Sequence, residues 1–336
     1  MHVGKSYTVH EFLIWTRRNI YVLLIMGITP VVLYKTFDLK WLNIPWPIVA
    51  LLGTATAFIV GFKNTQTYRR TAEAEQVWTT IINLSRSWGL ISRDYFTNPE
   101  KARELIYRHI AWLTALRYQM REERVWETSR TSYNEEYQEL YYRIPEREAL
   151  LKDELAKYLS ESELKSILST KNKTIQIMAL QSNTVKEMYH NQEIVALQFV
   201  DMERTLREFL LHQGKSEQLK DSPYPRQYAI INNLFINLFC FLLPFGMLEE
   251  FEKLNNLTDG FMKGYMVWLV VPFSIMISWM YTSLEQVGES TENPFEGTAN
   301  DVPISQMCRT IEIELRELLG ETDLPPELEP QNNIIL

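Results

Sequence analysis

The sequence predicts an all-α membrane protein in which four spanning helices continue into a cytosolic helical bundle. Three observations carry that prediction. Four uncharged, apolar windows stand out from a polar chain of 336 residues, at 20–34, 41–62, 227–248 and 264–284. The long stretch between the second and third windows is rich in charge and repeats its apolar residues at three and four, the period of a helix face. Alternating apolar and polar residues, the mark of a half-buried strand, are almost absent.

A helix needs about 20 apolar residues to cross a bilayer. The last three windows are long enough. The first, bounded by Arg18 and Lys35, is short and is expected to reach both interfaces by drawing on Asn19 and the Lys35 stem. It does not read as a cleaved signal, because no small-x-small site follows it and Thr29-Pro30 lies inside it. The second window runs from Lys40 to Lys63 and passes into Val77, Trp78, Ile81 and Ile82 with no flexible linker. Asn98-Pro99 opens a helix whose Ile106, Ile110, Leu113 and Leu116 share one face. Shorter helices are expected at 146–159 and 162–168, and a long one over 171–207. The run Asp221-Ser222-Pro223-Tyr224-Pro225 breaks the chain before the third span. A second break covers 289–303, and a last helix covers 304–319. Residues 321–336 are proline-rich and expected to be disordered. The organisation predicted is therefore 1–62 (amino-terminal segment and spans one and two), 63–226 (cytosolic helices), 227–284 (spans three and four) and 285–336 (carboxy-terminal segment).

Lys5, Arg17 and Arg18 precede the first span, Lys63, Arg69 and Arg70 follow the second, and Arg226 precedes the third. The link after the third span carries Glu249, Glu250, Glu252 and Asp259. Basic residues favour the cytoplasmic side, so both termini and residues 63–226 are expected there, with the two short links outside. The net charge of −8, with acids and bases interspersed, argues against a nucleic-acid partner. Cys240 and Cys308 have no ligand spacing. Nothing reads as an enzyme: P-loop, G-x-G-x-x-G, H-E-x-x-H and G-x-S-x-G motifs are absent. His109 reads as a packing residue and the pair Glu122-Glu123 as a solvated face.

The second span carries the strongest functional signal. Thr54, Phe58 and Phe62 recur every four residues and fall along one stripe, with Gly53, Ala55, Ala57 and Gly61 beside and behind it. Small residues let helices approach closely in a membrane. Copies of this helix around an axis would stack aromatic rings into a constriction that gates by dewetting. On spacing alone, ordinary helix–helix packing is the simpler reading.

A resemblance changes that balance. Gly61-Phe62 followed by Tyr68, Arg70, Glu73, Trp78, Asn83, Ser85 and Arg86 resembles the bestrophin family in its bacterial form. So do the stretch from Arg108 to Arg117, the run Glu292-Asn293-Pro294-Phe295 and the run from Asn300 to Pro303. The resemblance covers roughly Tyr7 to Leu319. It implies a homopentameric ion channel with one axial pore, embedded in membrane lipid, whose second span lines a hydrophobic neck. Aligned on Gly61-Phe62, the neck positions are Thr54, Phe58 and Phe62, with Thr54 more polar than the family usually has. A second, cytosolic aperture falls near Leu197.

Eukaryotic members of the family also carry a calcium clasp after the fourth span. Asn293, Glu296, Asn300 and Asp301 are its remnant here, but most of the acidic run is missing, and calcium prefers six to eight oxygen ligands. The motif is expected to pack the tail onto the cytosolic helices, with no cofactor. Small anions such as chloride are the expected permeants. The alternative is a monovalent-cation channel of the same fold; a secondary transporter or a membrane-anchored scaffold fits less well. Arg69 and Arg70 could draw anions inward, although pairing with Glu73 and Glu75 is the simpler expectation.

Overall fold

A computed structural model describes residues 1–96, 98–255, 257 and 262–336. Asp259, assigned above to the outer link, lies outside the described residues. Twelve α-helices are present among them. The first, α1 (Val9–Thr36), opens on a capping box in which Thr8 and Glu11 bond reciprocally to each other's backbone. It runs 28 residues, so Asn19 and Lys35 lie within the helix itself. A turn at Asp38, whose φ is 53°, leads to a short 3-10 segment at Lys40–Leu42. Pro45 then starts α2 (Trp46–Asp94), which runs 49 residues without interruption. At about 1.5 Å per residue this helix is roughly 70 Å long, so one rod carries both the second span and a pillar of the polar helical region.

The helices outside the spans follow as α3 (Pro99–Arg121), α4 (Ser132–Tyr141), α5 (Pro145–Glu148), α6 (Leu151–Leu155), α7 (Glu161–Leu168), α8 (Lys173–His190) and α9 (Ala196–Asp221). The third span is α10 (Arg226–Asn255), the fourth is α11 (Val270–Ser290), and α12 (Ile304–Leu318) closes the helical order. Among the described residues four stretches, at α1, α2, α10 and α11, are long and apolar enough to cross a membrane.

Two buried clusters sit one above the other along α2. In the membrane half, Val49 and Val60 pack with Leu23 and Val31 of α1, Phe239 and Leu243 of α10, and Val270 of α11. In the polar half, Trp78, Ile81 and Trp88 pack with Ile106, Trp112 and Leu116 of α3, Phe209 of α9 and Ile311 of α12. His109 is buried there, its Nε2 2.8 Å from Ser85 Oγ, between the rings of Trp112 and Phe209. Burial lowers its pKa to about 3, which fits a neutral packing residue as expected.

Three sequence expectations need correction. The helix over 171–207 is two helices. Gln192 takes φ 59°, while its N–H donates to Tyr189 O (3.1 Å) and that of Glu193 to Met188 O (2.9 Å). This is a Schellman stop with glutamine where glycine is usual, so nothing in the local composition announced it. The segment 146–159 likewise divides, into α5 and α6, and α4 was missed altogether. The tail is not disordered: Val3 N–H donates to Asn333 O, Gln306 N–H to Leu336 O, and Ile334 and Leu336 are buried beside Tyr137, Tyr142 and Ile144. Three apolar residues at 334–336 outweigh the prolines before them.

Candidate pore helix and the loop that braces it

The membrane half of α2 has two faces. Val49, Gly53, Thr56, Val60, Lys63 and Thr67 are buried in the protomer. Thr54, Phe58, Phe62, Thr65 and Arg69 are exposed. At 3.6 residues per turn these two sets lie on opposite sides of the helix. Phe58 is 67 % exposed and Phe62 69 %, so neither belongs to the buried core of its own chain. The small residues divide the same way. A Cβ at Gly53 would come 2.7 Å from the Phe239 ring, so Gly53 serves the contact with α10. Gly61 has nothing within 4 Å of its missing Cβ, and Ala55 and Ala57 are exposed with it.

The buried face is pinned just inside the span. Lys63, 1 % exposed, forms an ion pair with Glu285 of α11 at 2.5 Å. Asn64 Nδ2 donates to Leu284 O (3.2 Å). Gly288 leaves room for this approach, since a Cβ there would meet Asn64 Oδ1 at 2.5 Å. Sequence reasoning missed the Lys63–Glu285 pair; two opposite charges flanking different apolar windows were its only trace.

Arg69 and Arg70 part company. Arg70 donates from Nε to Glu292 O (3.1 Å) and from Nη2 to Leu219 O (2.9 Å), tying α2 to the end of α9 and to the loop after α11. The expected partners Glu73 and Glu75 form no ion pair with either arginine among the described residues. Arg69 is exposed, makes no ion pair or hydrogen bond among the described residues, and stands seven residues below Phe62. A straight α-helix drifts only about 20° per heptad, so Arg69 continues the line of Phe58 and Phe62.

The loop from Thr291 to Pro303 is buried and held on all sides. Glu292 forms an ion pair with Arg226 at 3.2 Å, and the Phe295 ring packs against Trp78. Glu296 accepts from Thr128 N–H (2.7 Å), Thr128 Oγ1 (2.7 Å) and Ser129 N–H (3.3 Å). Asn293 Nδ2 reaches Glu296 Oε2 at 3.5 Å. Asp301 accepts from Gly297 N–H (2.6 Å) and Thr298 Oγ1 (2.5 Å), and Arg121 Nη1 lies 3.3 Å away. Asn300 donates to Ser290 Oγ (2.9 Å) and accepts from Tyr7 (3.1 Å). Asn293, Glu296, Asn300 and Asp301 are therefore brought into one loop, and all four spend their polar atoms on protein partners. The cation nearest Asp301 is the Arg121 guanidinium, which also faces Glu146 at 3.6 Å. Among the described residues no group of three or more His, Cys, Asp or Glu side chains is arranged to hold a metal ion. Burial raises the Glu296 carboxyl above its usual range, with Asp301 adding to the effect. It raises Asp301 too, against the opposing pull of Arg121.

Leu197 is placed far from the other candidates. It lies in the first turn of α9 and is 79 % exposed. Leu219 at one end of α9 meets Arg70, while Asp201 near the other end meets Tyr95 beyond the end of α2. The two helices therefore run antiparallel, and Leu197 sits at the end far from the spans. Thr54, Phe58 and Phe62 share one exposed face at the membrane end.

Comparison with known proteins gives this architecture a family. Residues 14–317 match the family described as Bacterial/Fungal Bestrophin protein. The voltage-dependent anion channel-forming protein YneE of Escherichia coli K12 is 25 % identical over 303 residues, which cover 89 % of this chain and 84 % of that one. A voltage-dependent anion channel-forming protein of Ralstonia nicotianae is 24 % identical over 284 residues, covering 83 % and 78 %. Among solved structures, a bacterial bestrophin homologue from Klebsiella pneumoniae superposes with a TM-score of 0.75 at 22 % identity, covering 91 % of this chain and 99 % of that one. Four helices long and apolar enough to cross a bilayer make the chain a multi-pass membrane protein. With its order of spans, its single rod through the second span and the polar helices and its match over residues 14–317, the chain belongs to the bacterial and fungal bestrophin family.

Proposed function

We propose that this protein is a homopentameric anion channel of the cell membrane, conducting chloride and similar ions through a neck lined by Thr54, Phe58 and Phe62. One observation carries the reading: two adjacent turns of α2 present phenylalanines that are two-thirds exposed, on the side opposite the protomer's own core. A heterologous interface closes into a ring when its rotation closes, and Gly61, Ala55 and Ala57 leave room for neighbouring copies beside the stripe. The relatives named as anion channel-forming proteins support the same reading. Leu197 is proposed as the cytosolic aperture, and the basic flanks of the spans favour cytoplasmic termini and a cytoplasmic middle segment. A channel of this kind needs no catalytic group.

Arg69 favours anions over the cation-selective alternative. It extends the neck line without a carboxylate bound to it, and five copies would surround the axis about 10 Å below Phe62. Acids at the other end are offset: Lys253 pairs with Glu249 at 3.0 Å and Glu250 at 3.1 Å, and Lys35 with Glu252 at 3.4 Å.

Purified protein in liposomes under a potassium chloride gradient tests the proposal. A reversal potential toward the chloride equilibrium is expected, and Arg69→Gln should shift it several-fold in permeability ratio toward potassium. A potential toward potassium in the unaltered protein would establish the cation reading. No flux at all from assembled protein would remove the channel.

A further inference from the structure

A cavity of about 300 Å³ lies where the amino-terminal segment, the first turns of α1, α4 and the loop after α11 meet. That volume is at the lower end for small-molecule sites, roughly 300–1,000 Å³. Its walls include Tyr7, Phe12, Trp15, Tyr137 and Tyr142. Three of these rings are fixed by hydrogen bonds to the surrounding scaffold. Tyr7 donates to Asn300 Oδ1 (3.1 Å), Trp15 Nε1 to Asn134 Oδ1 (3.0 Å) and Tyr142 to Gly297 O (3.1 Å). The site is thus organised before anything enters it.

Two lining groups keep hydrogen-bonding capacity. Tyr137 is 7 % exposed, and its hydroxyl has no hydrogen-bond partner among the described residues. The hydroxyl oxygen is not enclosed by protein, so it keeps hydrogen-bonding capacity for an occupant. Glu11 is the one formally charged side chain among the lining residues, and no Lys, Arg or His accompanies it. Its Oε2 accepts from Thr8 N–H at 2.9 Å, which leaves further acceptor capacity on the carboxylate. Aromatic faces attract cations through the ring quadrupole, and a carboxylate adds to that attraction. Glu11 would repel an anion, and a neutral hydrocarbon would use neither Glu11 nor Tyr137.

We infer that this cavity is a binding site for a small organic ammonium ion, held against Tyr7, Trp15, Tyr137 and Tyr142 with its charge toward Glu11. The occupant would bridge α1 to Asn300 of the loop after α11, joining the first and fourth spans at their inner ends. The inference is independent of ion selectivity and of which helix lines the pore.

Titration calorimetry of the purified full-length protein tests it, with choline and its uncharged carbon isostere 3,3-dimethylbutan-1-ol as probes. Choline should bind saturably, at least about tenfold more tightly than the isostere. Glu11→Gln retains the capping geometry, since glutamine also serves at that position. It should abolish the preference while leaving isostere binding unchanged. Ala299→Leu, which narrows the cavity, should weaken both probes in protein of unaltered melting temperature. Equal binding of the two probes, no saturable binding of either, or full choline preference in Glu11→Gln would each overturn the assignment. If Ala299→Leu fails to assemble, the Glu11→Gln comparison decides alone.

Discussion

The stripe on α2 and the loop after α11 are opposites. Phe58 and Phe62 are about two-thirds exposed and lie outside the buried core of their own chain. Phe295 is fully buried, and Glu296 and Asp301 are bonded on every side. The first region is defined by what its side chains leave uncovered, the second by contacts reaching from Tyr7, Arg121 and Thr128. Substitutions in the stripe should therefore change conduction with little effect on the folded chain. Substitutions in the loop, and on the buried face of α2, should change stability first.

The largest effect is expected on the buried face of α2. Lys63→Met leaves Glu285 buried without its partner, and breaking such a pair costs roughly 3–5 kcal/mol. The double variant Lys63→Met/Glu285→Leu should recover most of that loss, as thermal unfolding in detergent would reveal. A single variant as stable as the parent would mean that water reaches the pair. Phe295→Ala comes next. It removes a fully buried ring packed on Trp78, at roughly 3–5 kcal/mol, whereas Phe58→Ala should leave the melting temperature of the protomer fold nearly unchanged. Equal losses for the two phenylalanines would erase the contrast between the regions.

How much of this could be read from the sequence follows the same division. The spans, the uninterrupted run of α2 and the line through Thr54, Phe58 and Phe62 are local periodicities, and a period of 3.6 is visible without knowing the neighbours. The loop is different. Asn293 to Asp301 reads as a thinned-out cation motif because its acids are counted and their partners are not. Arg121 and Thr128 lie more than 160 residues away in the chain. The stop at Gln192 and the docking of residues 334–336 were invisible for a related reason: each depends on backbone geometry or on a distant partner. Arg69 and Arg70 look alike in the sequence, and only the fold separates a pinned arginine from an unpaired one.

A smaller effect should appear with pH. Glu296 has its carboxyl raised by burial, so the folded state holds its proton more tightly than the unfolded chain does. A group raised in this way adds stability below its unfolded pKa and loses that contribution as pH rises through the folded value. The loop should therefore be more stable in mild acid than above neutrality, and Glu296→Gln should flatten that dependence. Hydrogen exchange of residues 291–303 across pH is the measurement. Identical profiles for parent and variant would show that Glu296 stays charged throughout.

The central claim is that the exposed stripe of α2 lines a pore, and the double variant Phe58→Ala/Phe62→Ala tests it most directly. Single-channel conductance should be recorded on protein whose oligomeric state is verified by native mass spectrometry. The account predicts intact pentamers with a wider, wetter neck, hence higher conductance or lost gating. Intact pentamers with unchanged conductance and gating would place Phe58 and Phe62 outside the pore and contradict the account.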